Sequence, residues 1–281
     1  MSWFQAVVLG LLQGVTELFP VSSLGHSVLL PRLLGWRLDV DANAFLTFLV
    51  ATHVATALVL LGFLAKDWTR IVAGLARSLG HRSSDPDARL GWLLVIGTLP
   101  AGAVGLLLER RLRELFVSPR VVAAVLILNG LLLYGAERLR RGAAPATGSG
   151  DADQRIAATL TAGQAARIGL LQTLALIPGF SRTGATIAGG LLVGLAHEDA
   201  LRYSFLLATP IIGAAAVLKL PHLLGAGSPV LAASAAGGVA AAVAAWLSVR
   251  FLTRHFRTKT LLPFAVYCVV AGALALVRLG A

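Results

Sequence analysis

Six stretches of this chain, about 44–65, 89–108, 120–138, 200–220, 229–250 and 260–278, run nearly uncharged for the length of a bilayer crossing. A helix crossing the hydrocarbon core needs roughly 20 apolar residues, so each stretch is expected to be a transmembrane helix. Charge gathers in the gaps, as in Lys66-Asp67-Trp68, Glu109-Arg110-Arg111 and Glu137-Arg138. With 57% hydrophobic and only 13% charged residues, the composition excludes an ordinary soluble domain. The net charge of +11 does not point to nucleic acid. The basic residues lie between apolar runs with no basic face interleaved with aromatics, and positive-inside bias and anionic headgroups account for them. Cys268 sits alone in an apolar run and reads as a small core residue. The N-terminus lacks a basic n-region and a small-residue cleavage site, so it is expected to belong to the mature protein.

Two further apolar segments, about 3–34 and 163–196, are broken near their middles and read almost as copies of each other. Gly10-Leu-Leu-Gln13 leads to Pro20 and then Ser23, while Gly169-Leu-Leu-Gln172 leads to Pro178 and then Ser181. Each arm is too short to cross alone, so each segment is expected to be a re-entrant helical hairpin dipping to mid-membrane. Non-helical backbone at that depth must be buried in protein or line a wet cavity. The repeat continues, since Phe48-Leu-Val-Ala-Thr52 matches Phe205-Leu-Leu-Ala-Thr209. Each half is then one hairpin plus three spans, and an odd number inverts the second half, so the hairpins enter from opposite faces and meet near the centre. The expected fold is an all-α integral membrane protein, with about six transmembrane helices and two re-entrant hairpins in an inverted repeat. The halves divide as 1–141 and 163–281, with 142–162 between them. Within that connection 142–154 reads as a flexible linker, rich in Gly, Ala, Ser and Pro.

Lysines and arginines fall more heavily on the side carrying Lys66, Arg70, Arg77, Arg138, Arg155 and Arg250 than on the side carrying Arg32 and Arg120. That side is expected to be cytoplasmic, and the first hairpin to open outward.

Nearly all intramembrane polar chemistry lies in the hairpins. Gln13 and Glu17 share a helix face one turn apart, and a carboxylate at membrane depth usually marks function. Ser22 or Ser23 suits the N-cap of the returning arm, with His26 projecting to the side of Ser23. Arg182, flanked by Ser181, Thr183 and Thr186, needs an anionic partner, and its planar fork fits phosphate oxygens. Two helix N-termini facing one centre favour an anion. Together these residues describe a phosphate-ester or diphosphate site. The plainer readings are a structural Glu17–Arg182 ion pair, serines that only cap helices, and glycines that only permit close packing. Gln13 alone is expected to bond to backbone, His53 to make an interhelical hydrogen bond, and Glu198 to pair locally with Arg202.

On Gln13-x-x-x-Glu17, Pro20-Val-Ser-Ser-x-Gly-His26 and Pro178-Gly-Phe-Ser-Arg-Thr-Gly-Ala-Thr186, the chain closely resembles the bacterial undecaprenyl-diphosphate phosphatase (bacitracin-resistance) family. The resemblance covers essentially the whole chain. It implies hydrolysis of a C55 prenyl diphosphate in the bacterial inner membrane, recycling the carrier lipid of the cell wall. With the first hairpin opening outward by the charge count, the pocket is expected to open to the periplasmic face. It also implies a divalent cation, Mg²⁺ or Ca²⁺, at the acidic motif, here Glu17 with Gln13 in place of a second carboxylate. Thr183 stands where the family commonly has serine. The expected catalytic set is Ser23, His26, Glu17 and Arg182, with Ser22, Ser181, Arg182, Thr183 and Thr186 binding phosphate. Ser23 as nucleophile with His26 as base, His26 as nucleophile, and direct attack by water stay open, as does transport or flipping of an anionic prenyl lipid. Expected partners are the prenyl lipid and membrane lipids, and a homodimer is compatible with this reading.

Overall fold

The computed structural model describes residues 1–36, 38, 43–80, 85–114, 118–140, 150–224 and 227–280, and the backbone alone at 108–114 and 215–224. Among these residues the chain is all-helical. The first half contains α1 (Trp3–Thr16), α2 (Ser23–Leu33), α3 (Asn43–Phe63), α4 (Ala65–Gly80), α5 (Pro86–Glu114) and α6 (Pro119–Leu139). After α7 (Ala152–Thr159), the second half contains α8 (Ala162–Gln172), α9 (Arg182–Leu192), α10 (His197–Leu224), α11 (Ser228–His255) and α12 (Leu262–Gly280).

Five helices, α3, α5 over Pro86–Leu107, α6, α11 and α12, are long and apolar enough to cross a membrane. Helix α10, of 28 residues, covers the sixth expected span, with Lys219 the only charge between positions 203 and 220. The two broken segments are hairpins, α1 with α2 and α8 with α9. Both first arms start on a reciprocal cap, Ser2 with Gln5 and Thr161 with Gln164, which satisfies backbone donors otherwise orphaned at a helix start.

The hairpins enter from opposite faces. Phe4 of α1 meets Trp36 beyond α2, in a cluster that includes Ala233 near the start of α11. At the second hairpin, Gln164 of α8 donates to the Val193 carbonyl just past α9, and Arg89 near the start of α5 donates to the Leu160 carbonyl. That face also carries the end of α6 and the starts of α10 and α12, where Glu137 accepts from the Leu261 N–H and contacts His197 at 2.8 Å.

The two halves exchange their hairpins. Helix α1 packs on α11 of the second half, and α8 packs on α5 of the first. The repeated Gly-Leu-Leu-Gln explains the pairing. A β-carbon on Gly10 would strike the Gly237 carbonyl of α11, and one on Gly169 would strike the Gly97 carbonyl of α5. Inside a bilayer, helix association rests on such close packing rather than on the hydrophobic effect.

Two amphipathic helices were not expected. Helix α4 lies beside α5, and α7 takes up the end of the stretch read as a flexible linker, of which 142–149 lie outside the described residues. Buried Asp153 of α7 accepts from Arg202 Nε and Nη2, each at 2.8 Å, and from Arg70 Nη2 at 3.1 Å. The expected Glu198–Arg202 pair is not made. Arg202 turns its fork to Asp153 and to Asp67 at 2.7 Å, while Arg155 takes Glu198 and Asp199. A bidentate carboxylate across helices holds a guanidinium better than a single partner one turn away.

Candidate active site

Pro20 and Pro178 end the first arms and leave backbone groups without helical partners at mid-membrane, where each unpaired group is costly. One residue serves both breaks. Asn129, fully buried at the midpoint of α6, donates through Nδ2 to the Pro20 carbonyl at 3.0 Å. Its Oδ1 accepts from the Ser181 N–H, also at 3.0 Å. The hydroxyls of the second break complete the clamp. Ser181 Oγ donates to the Phe19 carbonyl at 3.3 Å and Thr183 Oγ1 donates to the Glu17 carbonyl at 3.0 Å. The breaks therefore meet level with the midpoint of α6, held by bonds to each other's backbone.

Glu17, 8% exposed, is the hub. Its Oε2 accepts from Ser23 Oγ at 2.6 Å and from Gln13 Nε2 at 3.2 Å, and lies 3.4 Å from His53 Nε2 on α3. Its Oε1 accepts from Arg182 Nη2 at 3.0 Å. Two polar atoms beside this hub are buried and without a hydrogen-bond partner among the described residues: Arg182 Nη1, a donor, and Gln13 Oε1, an acceptor. Buried polar atoms are paired as a rule, so an orphan donor and an orphan acceptor on opposite sides of one carboxylate mark a place for a polar ligand.

The expected site residues do assemble, but several have different work. Ser22 caps α2, taking the Gly25 N–H at 3.2 Å, and Ser181 caps α9, taking the Gly184 N–H at 3.0 Å. Thr186 Oγ1 donates back to the Arg182 carbonyl at 2.9 Å and contacts Ser204 Oγ at 2.5 Å. These hydroxyls, with Thr183, hold backbone, and Arg182 is left as the residue of the second hairpin with a buried donor to spare.

His26 does not meet Ser23. Its Nδ1 lies 2.6 Å from the Ser22 carbonyl and its Nε2 lies 2.7 Å from the Tyr267 hydroxyl on α12. A carbonyl only accepts, so Nδ1 carries the proton and the phenol donates to Nε2, which occupies both ring nitrogens. Ser22 is the only non-glycine residue with positive φ, 68°, among those described. Such a conformation costs about 1–3 kcal/mol and persists only where neighbours enforce it, and the His26 bond to its carbonyl does so. His53 is the converse case. It makes the interhelical contact expected of it, yet the partner is the hub carboxylate. Nδ1 donates to the Leu49 carbonyl at 2.7 Å, so a proton on Nε2 toward Glu17 makes the ring a cation. Sequence reasoning missed the roles of Asn129, Tyr267 and His53. For Asn129 and His53 the available signal was a lone polar residue inside an apolar span.

Residues 6–274 match the family model described as bacitracin resistance protein BacA. The chain belongs to the BacA family. It is 50% identical to an undecaprenyl-diphosphatase of Mycolicibacterium paratuberculosis, covering 99% of this chain and 98% of that one. An undecaprenyl-diphosphatase 2 of Burkholderia ambifaria is 49% identical over 96% of this chain and 94% of its own. One from Frankia alni is 44% identical over 99% and 98%. As a BacA-family protein the chain keeps both hairpin motifs inside the matched region, and its orphan donor and acceptor lie on them.

Proposed function

We propose that this protein is a multi-pass membrane phosphatase that hydrolyses undecaprenyl diphosphate to undecaprenyl phosphate and inorganic phosphate. The reaction returns the carrier lipid to cell-wall synthesis and underlies bacitracin resistance in the family. Full-length similarity to three relatives named undecaprenyl-diphosphatase supports the substrate. The observation that carries the chemistry is the 2.6 Å bond from Ser23 Oγ to Glu17, with the free Nη1 of Arg182 alongside.

In this reading Ser23 Oγ attacks the terminal phosphorus as Glu17 takes its proton. The bond from that phosphorus to the bridging oxygen breaks, and undecaprenyl phosphate leaves with the electron pair. Arg182 Nη1 and the N-termini of α2 and α9 offset charge on the transferring phosphoryl group. Glu17 passes the Ser23 proton to the departing phosphate oxygen. Water then attacks the phosphorus, its proton passing to Glu17 and on to Ser23 Oγ as the Ser23–phosphorus bond breaks and phosphate leaves. His26 is a holder of the Ser22 turn rather than base or nucleophile, because both its nitrogens are engaged.

The donor set fits a hard divalent cation, Mg²⁺ or Ca²⁺. Gln13 Oε1 is buried and unpartnered beside the Glu17 carboxylate, and such ions take oxygen ligands including amide carbonyls. No group of three or more His, Cys, Asp or Glu side chains able to hold a metal occurs among the described residues, so the diphosphate and water would complete the shell. When bound, the ion would neutralise diphosphate charge.

The excess of basic residues at the ends of α6 and α11 supports a reading in which that face is cytoplasmic and the mouth of the first hairpin opens to the periplasmic side of the inner membrane. The test is phosphate release from a prenyl diphosphate by purified protein in detergent, with Mg²⁺, Ca²⁺ or chelator. A substrate radiolabelled at its terminal phosphate follows the first step. Label trapped on Ser23 is expected, whereas label on His26, or none, overturns the nucleophile assignment.

A further inference from the structure

The last turns of α11 and the turn that follows it carry two rows of residues four apart, the members of each row inside the helix sharing one ridge. One row is Trp246, Arg250, Arg254 and Thr258, and the other is Leu247, Phe251, His255 and Lys259. Together they line a groove. Trp246, Leu247 and Phe251 are each about half exposed, at 47%, 55% and 51%, and form an apolar wall. The Arg250 guanidinium lies over the Trp246 ring, 4.6 Å from its centroid, which fixes its position.

Several cations on this face have carboxylates. Arg70, Arg77, Arg155 and Arg202 all sit in ion pairs. Arg250, Arg254 and Lys259 have no carboxylate partner among the described residues, and the groove lining contains no acid. A helix C-terminus carries only about half a negative charge, so Arg254 in the last turn offsets it and two cations remain in excess. The groove thus joins an apolar wall, toward the bilayer, to a net positive end at headgroup depth.

We propose that this groove is a binding site for the headgroup of an anionic phospholipid, separate from the catalytic pocket. The phosphodiester takes Arg250, Arg254 and Lys259, while the upper acyl chain lies along Trp246, Leu247 and Phe251. The wall argues for a lipid over free phosphate, which has no use for apolar surface. Phe251 stacks on Phe19, with ring centroids 5.6 Å apart and planes at 8°, and Phe19 belongs to the break that carries Glu17. A seated lipid therefore braces the catalytic hairpin from behind.

The test uses full-length, delipidated protein in detergent, titrated with phosphatidylglycerol or phosphatidylcholine and read by native mass spectrometry. A triple variant, Arg250→Gln with Arg254→Gln and Lys259→Gln, is set against a control triple that removes equal charge elsewhere on the face, at Lys66, Arg138 and Arg167. Each cation near an anionic lipid is worth roughly fivefold, so the two in excess predict a preference for phosphatidylglycerol of about twenty-five-fold. That preference should vanish in the groove variant, persist in the control and resist excess inorganic phosphate. The groove residues are exposed, so phosphate release without added phospholipid should match wild type and report intact folding. Equal loss in both triples, no preference in wild type, or displacement by inorganic phosphate each overturns the proposal.

Discussion

Replacing Asn129 with leucine tests whether one side chain keeps the two breaks in register. Leucine is close in volume, so the change removes three hydrogen bonds, one of them the weak bond to Cys268 Sγ, and adds no cavity of consequence. It strands the Ser181 N–H and leaves the Pro20 carbonyl with only a weak thiol contact, Cys268 Sγ at 3.8 Å. A buried unsatisfied backbone group costs about 1–3 kcal/mol, although hydrogen bonds measured within membranes average nearer 0.6 kcal/mol. A loss of about 2–4 kcal/mol follows if both groups stay buried, and it appears as a lower unfolding midpoint in detergent. Function should suffer beyond stability. Glu17 and Arg182 come from different hairpins, and their 3.0 Å contact depends on the register that Asn129 sets. A shift of about 1 Å in a reacting group costs on the order of a hundredfold in rate, so turnover well below the unfolding midpoint should fall by about that factor. Asn129→Asp keeps the acceptor for Ser181, and its O–H donates to the Pro20 carbonyl only while protonated, so it should lie near wild type when protonated and fall toward leucine as it ionises. Wild-type turnover and midpoint in Asn129→Leu would refute the clamp.

Arg182→Lys keeps the charge but cannot reach Glu17 and a phosphoryl oxygen with one fork, so kcat should fall about 10²–10³-fold with normal folding. Near-wild-type kcat there would place Arg182 outside the reaction. His26→Asn presents an amide donor near the place of Nδ1 and should keep a substantial share of activity, whereas His26→Leu should lose most of it. Equal loss in both, seen in phosphate release, would restore His26 to a chemical role. Gly10→Val and Gly169→Val drive a β-carbon into opposing helix backbone, and overpacking of this kind costs about 1–3 kcal/mol or more. Folded yield on size exclusion should drop for both alike, and a drop at only one site would contradict the exchanged packing.

Local signals in the sequence carried far. Prolines at 20 and 178 mark both breaks, Gly-Leu-Leu-Gln marks both packed arms, and the apolar runs give the spans. Glu17, Ser23 and Arg182 were legible as a site because charge at membrane depth is too costly to persist without a use. The errors concern who bonds to whom across long separations. His26 meets Tyr267 from 241 residues away, and Asn129 reaches one break from 109 and the other from 52. Ser23 and His26 look like partners in the sequence because a helix places them near each other, yet Glu17 lies closer once the break folds back. Helix α7 was hidden by a stretch of small residues before it, and its anchoring aspartate at 153 only makes sense once Arg70 and Arg202 are seen to converge.

The exchange of hairpins between halves also sets an order of events during synthesis. The first hairpin leaves the ribosome well before the surface that receives α1, which belongs to α11, more than two hundred residues later. Until that span is inserted, a carboxylate-bearing half-crossing must wait in the bilayer without its neighbour or its arginine. The catalytic centre is therefore among the last parts of the molecule to be completed. A chain stopped short of α11 carries every residue of the reaction but has no place to seat the first arm.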